Sequence, residues 1–478
     1  MTHSADRAEA TRRTWLETQE RFRRDPDAPG SPRYWSPSLD TASRDALRAI
    51  QEEKLAAVLP FLYENSPFYR RRFDRLGLLP SDIRGVDDLV AKWPVVDKLE
   101  MSEDARAHPP YGSYTTITDE VWAERGWMMF SSSGSTGQPR IFRYSHVDRE
   151  LWAWANARAL HAMEFRRGDT VFMITGYGPH VWAWGVQVAL FKMGLPTIPG
   201  GGMDGRARAH IVERFRPTIL LCTPSYALHL GRLMQEMGLD PAASAVRLLF
   251  IAGEPGVSVA ATRERIEQLW DARTVEFYGC TEAAPSAGGY SCPASHADGA
   301  PVATHLMEDL QIWETVDPAT RAPSAAGERG LTVCTNLNSE ASPQLRFLVG
   351  DYALLERAPC ACGRTHVRAL GSFAGRADDL INLRGIKMFP VQVEEAVRSV
   401  AGTGDEFEIV LDADASGMDV MTVRVEHIDF HLGESLSQRI AGEIRSRCEV
   451  RVAVEVLRPG SLPKTEFKAK RVKDLRRK

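Results

Sequence analysis

The sequence predicts an α/β protein with a large N-terminal domain, in which helices flank mixed or parallel sheets, and a small α+β C-terminal domain. The chain has 478 residues, which is more than one hydrophobic core usually organises, so two or more domains are expected. From about residue 125 onward, short apolar runs alternate with helical stretches, and this alternation is typical of βαβ units. The last part of the chain carries a shorter pattern of strands and helices, and we therefore place the domains at 1–376 and 377–478.

Each predicted element depends on its own apolar pattern. Helical spacing predicts a helical N-terminal segment at 5–25 and 40–78. In the rest of the large domain the pattern predicts strands at 169–177, 218–225, 246–256 and 274–282, helices at 206–215 and 261–270, and a strand and hairpin at 330–356. In the small domain it predicts helices at 391–400 and 436–448 and strands at 406–412, 420–427 and 450–457. Ligands of an open parallel sheet bind beyond the carboxyl ends of its strands, where "AGEPG" and "YGCTEAAP" would lie.

Composition argues against several classes of partner. Charged residues make up 26% and hydrophobic residues 44% of the chain, and the formal net charge is -4. These values are ordinary for a soluble globular protein and give no electrostatic argument for nucleic-acid binding. No run resembles a membrane span, and the charged first thirty residues lack the apolar core of a secretory signal, so a cytoplasmic protein is expected. The cysteines number 7, and an odd number favours thiols or a metal site over a disulfide framework.

The stretch "FSSSGSTGQPR" at 130–140 has the composition of an anion-binding loop. Two glycines supply backbone freedom, and the neighbouring serines and threonine supply hydroxyl donors. A surface turn or flexible linker is the alternative for such a run. Apolar, strand-like segments on both sides favour a held connection between strands. The stretch is not a Walker loop, because Gln138 stands where that motif has its lysine.

Six motifs occur in the order and spacing of a known enzyme family. They are "SSSGSTGQPR", "FIAGEPG", "FYGCTEAAP", "LVGDYALLE", "GRADDLINLRGIKMFP" and "LPKTEFKAKRV". This set resembles the adenylate-forming acyl-CoA ligase superfamily, over roughly residues 34 to 475. Two further stretches, "YENSPFYRRRFDRLGLLPSDI" and "CACGRTHVR", resemble its phenylacetate-CoA ligase branch in particular.

The resemblance implies a set of nucleotide-binding residues. A loop of the family holds the β- and γ-phosphates of ATP, and here it would comprise Ser132, Ser133, Gly134, Ser135, Thr136 and Gly137. The adenine would be walled by Gly253, Glu254 and Pro255 and stacked by Tyr278, between Phe277 and Gly279, while Asp351 and Arg376 would bind the ribose. The family often has a basic residue where Gln138 stands. Two readings of that departure stay open, a looser grip on pyrophosphate or the recruitment of Arg140.

The resemblance also implies the catalytic groups and a hinge. Thr281 would bond the α-phosphate and Glu282 would hold Mg²⁺, which takes only one or two protein oxygens beside a triphosphate. Lys468 would stabilise charge on the reacting carboxylate and the α-phosphate. The family usually has glycine where Phe467 stands, so Lys470 is an alternative, as is a solvated basic tail. Asp378 lies at the position about which the small domain of the family pivots.

Cysteines and histidines form a second constellation. Cys360 and Cys362 are one residue apart, and Cys292 and two histidines lie upstream. Two such clusters joined by a long insert fit a closed tetrahedral zinc site. The resemblance to the phenylacetate branch implicates Cys292, His305, Cys360 and Cys362, with His296 as a competitor for His305. Free thiols in a hairpin are the alternative.

The acyl pocket is the least readable part of the sequence. The segment "TGYGPHVWAWGVQ" offers Tyr177, His180, Trp182 and Trp184 as the walls of a slot for a flat ring, although aromatic residues on one face are also typical of a core. We therefore expect an ATP-dependent, Mg²⁺-requiring ligase that converts an aryl or arylalkyl carboxylic acid to acyl-AMP and then to acyl-CoA. Transfer to a carrier-protein thiol or an amine is the alternative, and a non-catalytic nucleotide-binding protein is a third hypothesis. The acid and a homodimer are left open.

Overall fold

The computed structural model describes residues 2–23, 32–132, 140–294, 302–373, 375–384, 386–414, 418–428, 433–464 and 471–476. Its helices are α1 (Thr2–Phe22), α2 (Pro37–Asp40), α3 (Arg44–Asn65), α4 (Pro67–Leu76), α5 (Val86–Lys92), α6 (Lys98–Ala107), α7 (Asp119–Arg125), α8 (His146–Ala162), α9 (Val181–Met193), α10 (Gly205–Phe215), α11 (Pro224–Glu236), α12 (Ala260–Trp270), α13 (Pro390–Ser399) and α14 (Gly433–Cys448). No helix of this part of the chain combines the length and the apolarity needed to cross a bilayer.

The strands complete the α/β pattern. They are β1 (Gly126–Ser131), β2 (Ile141–Ser145), β3 (Val171–Met173), β4 (Thr197–Pro199), β5 (Ile219–Cys222), β6 (Leu248–Ala252), β7 (Arg273–Cys280), β8 (Ala284–Ser291), β9 (Ala303–His305), β10 (Gln311–Val316), β11 (Gly330–Asn336), β12 (Phe347–Glu356), β13 (Arg368–Leu370), β14 (Ile381–Leu383), β15 (Ile386–Met388), β16 (Thr403–Ala413), β17 (Asp419–His427), β18 (Ala453–Leu457) and β19 (Val472–Asp474). The predicted α/β class is confirmed.

The chain divides into two compact units. The first comprises Met1–Gly168, Tyr177–Pro196 and Phe277–Ser372, and the second comprises Asp169–Gly176, Thr197–Glu276 and Phe373–Lys478. The boundary between residues 376 and 377 that the sequence suggests stays a prediction.

The first unit is built around antiparallel strands and a buried helix. Its strands pair in the order β10, β11, β12, β13, β9 and β8, each antiparallel to the next, and β1 pairs with β2 as a separate hairpin. Helix α8 is buried along almost its whole length, and apolar residues on every side of it favour such a central position. Arg158 of α8 is compensated there by Asp40 and Asp309, at 2.9 and 2.7 Å.

The helical N-terminal segment is interrupted between α3 and α4. Ser66 accepts a hydrogen bond from the backbone N–H of Tyr69, and Pro67 occupies the first helical position of α4. Proline fits that position but cannot continue a preceding helix, so the single helical pattern of 40–78 becomes two helices.

The second unit contains the predicted parallel strands and the C-terminal elements. Strands β4, β3, β5 and β6 pair in that order and are all parallel. In the C-terminal part, β16 and β17 pair antiparallel, while β18 joins β17 and β19 joins β16 in parallel. Helices α13 and α14 pack against each other beside these strands, and together they bury one apolar cluster. The predicted elements of this part form within a few residues of their expected ends, whereas β19 and the hairpin of β14 and β15 were not predicted.

Candidate active site and metal centre

A β-hairpin carries the Ser/Thr/Gly stretch. The backbone N–H of Ser132 donates to the carbonyl of Arg140 at 2.9 Å, and the N–H of Arg140 donates to Ser132 Oγ at 3.2 Å. These bonds extend the pairing of β1 with β2 to Ser132 and Arg140, the described residues on either side of the stretch. Five of the predicted phosphate-binding residues lie outside the described residues, namely Ser133, Gly134, Ser135, Thr136 and Gly137.

A buried ion pair lies at the base of this hairpin. Arg140 Nη2 donates to Glu282 Oε1 at 2.6 Å, and the two residues are 4% and 7% exposed. Arg140 Nη1 donates to Ser102 Oγ on α6 at 2.9 Å. Glu282 lies in the turn between β7 and β8, beside Thr281, whose carbonyl accepts a hydrogen bond from the Tyr144 hydroxyl. The acid predicted to hold Mg²⁺ therefore lies at the predicted phosphate loop, next to a guanidinium.

The sequence suggested Arg140 only as one of two possible consequences of Gln138 in the phosphate loop, and it did not indicate Ser102. The available signal for Arg140 was its place as the first basic residue after the Ser/Thr/Gly stretch. A carboxylate this deeply buried needs a partner, because an unpaired buried charge is strongly destabilising. The hydrogen bond from Arg140 also fixes the orientation of the Glu282 carboxylate.

A second polar pair lies on β7. The Tyr278 hydroxyl donates to Asp351 Oδ2 on β12, and Asp351 is 9% exposed. Phe277 and Gly279 flank Tyr278 on the same strand, and Phe277 is buried. The structure thus joins the residues predicted to contact adenine and ribose. A carboxylate offers two acceptor oxygens, which suit the vicinal diol of a ribose.

The remaining nucleotide and hinge residues belong to the second unit. Gly253 follows β6 with φ of +93°, a conformation that favours glycine. Glu254 Oε1 accepts a hydrogen bond from the backbone N–H of Ser225, at the first turn of α11, at 3.0 Å. Pro255 follows Glu254 in the segment after β6. Arg376 is half-buried, immediately before the short helical turn Ala377–Asp379 that contains Asp378. The side chain of Asp378, and Phe467, Lys468 and Lys470, lie outside the described residues.

Two of the four predicted pocket residues contact each other. The rings of Tyr177 and Trp184 meet edge to face, with centroids 5.0 Å apart. The Tyr177 hydroxyl donates to Gln187 Oε1 at 2.6 Å, and burial raises the pKa of Tyr177. Trp182 is half-buried, and His180 is exposed at the residue preceding α9. Gln187 was not predicted, because it stands inside the apolar pattern of α9.

The predicted zinc ligands converge. One ligand atom from each of Cys292, His305, Cys360 and Cys362 lies within 4.8 Å of the others, and all four residues are buried. The Cys292 and Cys360 sulfurs are 3.8 Å apart, and Cys362 Sγ is 3.6 Å from His305 Nε2. Metal–ligand bonds of about 2.0–2.3 Å in a tetrahedron separate ligand atoms by about 3.3–3.8 Å. The Cys292–Cys360 and Cys362–His305 separations lie in this range, and two or more thiolates with an imidazole are ligands that Zn²⁺ prefers. The competitor His296 lies outside the described residues.

Local structure prepares these side chains for a metal. The backbone N–H groups of Cys362 and Arg364 point to the sulfurs of Cys360 and Cys362, each at 3.5 Å, as donors to thiolates would. Burial lowers the pKa of His305 and so favours the neutral imidazole, the form that ligates. Gly363 has a φ of +84°, which lets the chain reverse between Cys360 and Arg364. The Tyr34 hydroxyl donates to the Cys362 carbonyl at 2.9 Å and ties the N-terminal segment to this turn.

Comparison with known proteins gives matches over most of the chain. Residues 82–334 match the family model described as AMP-binding enzyme, and residues 385–476 match the model of an AMP-binding enzyme C-terminal domain. The chain is 32% identical over 463 residues to a phenylacetate-coenzyme A ligase of Thermus thermophilus, covering 93% of this chain and 100% of the relative.

Solved structures match as well. One is a 2-hydroxyisobutyryl-CoA ligase in the postadenylation state in complex with 2-HIB-AMP, with 29% identity, a TM-score of 0.86 and 94% of each chain covered. The same ligase with 2-HIB-AMP and CoA in the thioesterification state gives 28% identity and a TM-score of 0.70, covering 95% of this chain and 96% of that chain.

Proposed function

Because the chain belongs to the AMP-binding enzymes, in the phenylacetate-CoA ligase-like branch of the adenylate-forming acyl-CoA ligases, we propose that it activates an aromatic carboxylic acid with ATP and transfers it to CoA. The products are acyl-CoA, AMP and pyrophosphate. One observation carries this proposal beyond the family. The Arg140–Glu282 pair and the Tyr278–Asp351 pair both involve one stretch of chain, β7 and its following turn. On this stretch Tyr278 and Glu282 are four residues apart.

These two pairs suit the two ends of a nucleotide. Tyr278 supplies a ring for the adenine, and Asp351 supplies acceptors for the ribose hydroxyls. Thr281 and Glu282 follow at the phosphate end, where Arg140 and Ser132 hold the base of the hairpin. From this order we expect the α-phosphate beside Thr281 and the β- and γ-phosphates towards the Ser/Thr/Gly stretch.

In the first half-reaction, an oxygen of the acid attacks the α-phosphorus of ATP, and the bond from that phosphorus to the pyrophosphate oxygen breaks. Negative charge grows on the pyrophosphate, and Arg140 is the proposed cation that stabilises it. Mg²⁺, when bound, neutralises phosphate charge. The Glu282 carboxylate fits it as one of the few protein oxygens that Mg²⁺ takes. Lys468 is the proposed cation for the attacking carboxylate.

In the second half-reaction, the thiol of CoA attacks the carbonyl carbon of acyl-AMP, and its proton passes to the solvent. The bond from that carbon to the phosphate oxygen breaks, and AMP departs. We propose that the unit 377–478 turns about Asp378 between the two steps, because one site then serves both. The 2-hydroxyisobutyryl-CoA ligase, which has been solved in a postadenylation and in a thioesterification state, supports this proposal.

An aromatic acid is the proposed substrate class. Tyr177 and Trp184 form an edge-to-face pair, and aromatic rings favour this geometry with a further ring. The Tyr177 hydroxyl and Gln187 give the pair one polar end. The names of the phenylacetate-coenzyme A ligases support the same class.

We further propose that Cys292, His305, Cys360 and Cys362 hold a structural zinc. Four protein ligands leave no open position for a substrate, so the metal would stabilise the fold and not take part in acyl transfer.

Product analysis tests the proposed function. Purified protein is incubated with ATP, Mg²⁺, CoA and a panel of acids, including phenylacetate, benzoate and 2-hydroxyisobutyrate, and the products are identified by mass spectrometry. We expect an aryl thioester together with AMP and pyrophosphate. A thioester only from the aliphatic acid would refute the aromatic class. Acyl-AMP that reacts with a carrier-protein thiol or with hydroxylamine, but not with CoA, would favour the alternative acceptor.

A further inference from the structure

A half-buried arginine of α12, Arg265, packs against the segment 394–405. Arg265 Nη2 donates to the Arg398 carbonyl at 2.8 Å and to Thr403 Oγ1 at 2.6 Å. Its Nη1 lies 3.3 Å from the Thr403 carbonyl and 3.4 Å from the Gly404 carbonyl. One guanidinium therefore bridges the end of α13 and the start of β16.

The acceptors that Arg265 meets there are neutral. The Thr403 hydroxyl donates its own proton to the Val400 carbonyl at 3.0 Å, which leaves its lone pairs for Arg265. Burial, and then the nearby Arg398, lower the pKa of Arg265 to about 10. Hydrogen bonds to neutral carbonyls compensate a buried guanidinium less than a carboxylate does. If the segment moved away, Arg265 would regain water, so this contact is suited to repeated opening.

Two further contacts hold the same segment. Arg232 of α11 pairs with Asp405, with one of its two hydrogen bonds at 3.1 Å. Thr262 of α12 donates to Glu394 Oε1 at 3.4 Å, and Glu394 also accepts from Arg398 at 2.7 Å. The side chains of α11 and α12 thus meet both ends of the segment.

These contacts cross the boundary that the sequence predicts. Helices α11 and α12 belong to the predicted domain 1–376, whereas the segment 394–405 belongs to the predicted mobile domain 377–478. The whole chain is more similar to the postadenylation structure of the 2-hydroxyisobutyryl-CoA ligase than to its thioesterification structure. The contacts are therefore assigned to the first half-reaction.

We propose that Arg265 and Arg232 form a latch that holds the segment 394–405 for acyl-AMP formation and releases it before thioester formation. This inference rests on the proposed function, since it needs two half-reactions. Both arginines are positioning residues, because they act on the reaction only through the C-terminal unit.

The test separates the half-reactions in the full-length enzyme. Arg265→Ala and Arg232→Ala are compared with wild type in acid-dependent exchange of labelled pyrophosphate into ATP, and in thioester formation from supplied acyl-AMP and CoA. We expect each variant to lower the exchange rate, by about tenfold for Arg265→Ala, since several hydrogen bonds are lost at once. Thioester formation from acyl-AMP should stay at the wild-type rate or rise. Arg265→Lys should recover part of the exchange.

Arg263→Ala is the matched control, because Arg263 lies on the same helix without a side-chain hydrogen bond or ion pair to the described residues. It should match wild type in both reactions. Equal losses in both half-reactions for Arg265→Ala, or no loss in either, would overturn the latch while the wild-type activities still support the proposed function. If wild type catalyses neither half-reaction with any acid, the proposed function fails and the latch fails with it.

Discussion

Arg140 and Glu282 show how one buried pair serves both stability and the proposed chemistry. Neither side chain is more than a tenth exposed, so removing one charge leaves the other buried without compensation. In the proposed reaction, bound phosphates would bring negative charge to the same guanidinium and leave the carboxylate available to a cation. The pair is thus expected to open during each turnover.

Truncation of Arg140 should therefore affect rate and stability together. We expect Arg140→Ala to lower acid-dependent pyrophosphate exchange by about a hundredfold, the usual effect of losing one electrostatic contact in a transition state. The unfolding free energy should fall by about 3 kcal/mol, because Glu282 is left unpaired. Arg149→Ala is the control, since its pair with Glu150 is on the surface. An Arg140→Ala variant with wild-type exchange would remove Arg140 from the site.

Asp148 gives a prediction on pH. Its carboxyl is fully buried at the start of α8 and accepts hydrogen bonds from the N–H groups of Ser145, Glu340 and Ala341. Burial, and then the nearby Glu340 carboxylate, raise the pKa of Asp148 from 3.8 to about 6. The folded protein therefore binds this proton more tightly than the unfolded chain does. The stability that Asp148 contributes is present at low pH and is lost as the pH rises from about 4 to about 6.

Denaturant unfolding of wild type and Asp148→Asn, across pH 4 to 7, measures this effect. The substitution also disturbs the hydrogen bonds to Asp148, so a pH-independent difference in unfolding free energy between the two proteins says nothing about titration. The difference in unfolding free energy should shift against wild type by up to about 3 kcal/mol over this range. A difference that does not change with pH would contradict the raised pKa.

At single positions, the sequence predicted chemistry that lies within one motif and missed partners that lie far apart. One short motif indicated that Tyr278, Thr281 and Glu282 lie together at the end of β7, and their roles stay predictions. The pairing of Arg140 with Glu282 spans 142 positions, and no local spacing indicates it. Gln187 was hidden by the apolar face of α9, and the Arg158 cluster with Asp40 and Asp309 was hidden in the same way, because a buried charge carries no periodic signature.

The turns that carry the proposed zinc ligands connect distant parts of the first unit. Cys292 follows β8, His305 ends β9, and Cys360 and Cys362 lie in the turn after β12. Tyr34 and Arg33 donate to the carbonyls of Cys362 and Ala361 in this turn, both at 2.9 Å. A metal at this point would fix three chain segments at once.

Removal of one ligand should destabilise the fold more than the chemistry. We expect purified protein to contain close to one zinc per chain, and Cys360→Ser to lose it with a clear fall in thermal stability. Cys448→Ser is the control, because Cys448 is a buried cysteine of α14 outside the ligand set. Metal analysis and calorimetry are the measurements. Stable, active wild-type protein without zinc would contradict the proposal, and zinc retained by His305→Ala but lost by His296→Ala would reassign the ligand.

The sequence predicted those elements well whose apolar pattern matches a single kind of burial along their whole length. The parallel strands β3, β5 and β6 are continuous buried runs, and α13 and α14 each present one apolar face, so their positions followed from the sequence. The break at Ser66–Pro67 was missed because the helical spacing continues across it. Short strands such as β14, β15 and β19, of three residues each, are too brief for a period to be recognised.

The proposed alternation of the whole molecule depends on the backbone at residue 378. Proline fixes φ near −65° and removes a donor, so Asp378→Pro should trap one arrangement without unfolding either core. We expect pyrophosphate exchange to stay within about tenfold of wild type, because the first transition state is not touched. The overall rate of thioester formation should fall much further. Equal losses in both reactions would mean that no turn about this residue separates them.

Acid-dependent exchange of labelled pyrophosphate into ATP is the sharpest test of the proposed ligase activity, because it requires reversible formation of acyl-AMP and does not involve CoA. With an aryl acid, wild-type protein should catalyse exchange that vanishes without acid or without Mg²⁺, and Lys468→Ala should lower the rate by orders of magnitude while it still forms thioester from supplied acyl-AMP. Loss of the rate in Lys470→Ala instead would move that role to Lys470. Wild-type protein that shows no acid-dependent exchange with any acid would contradict the account and leave a nucleotide-binding protein without ligase activity.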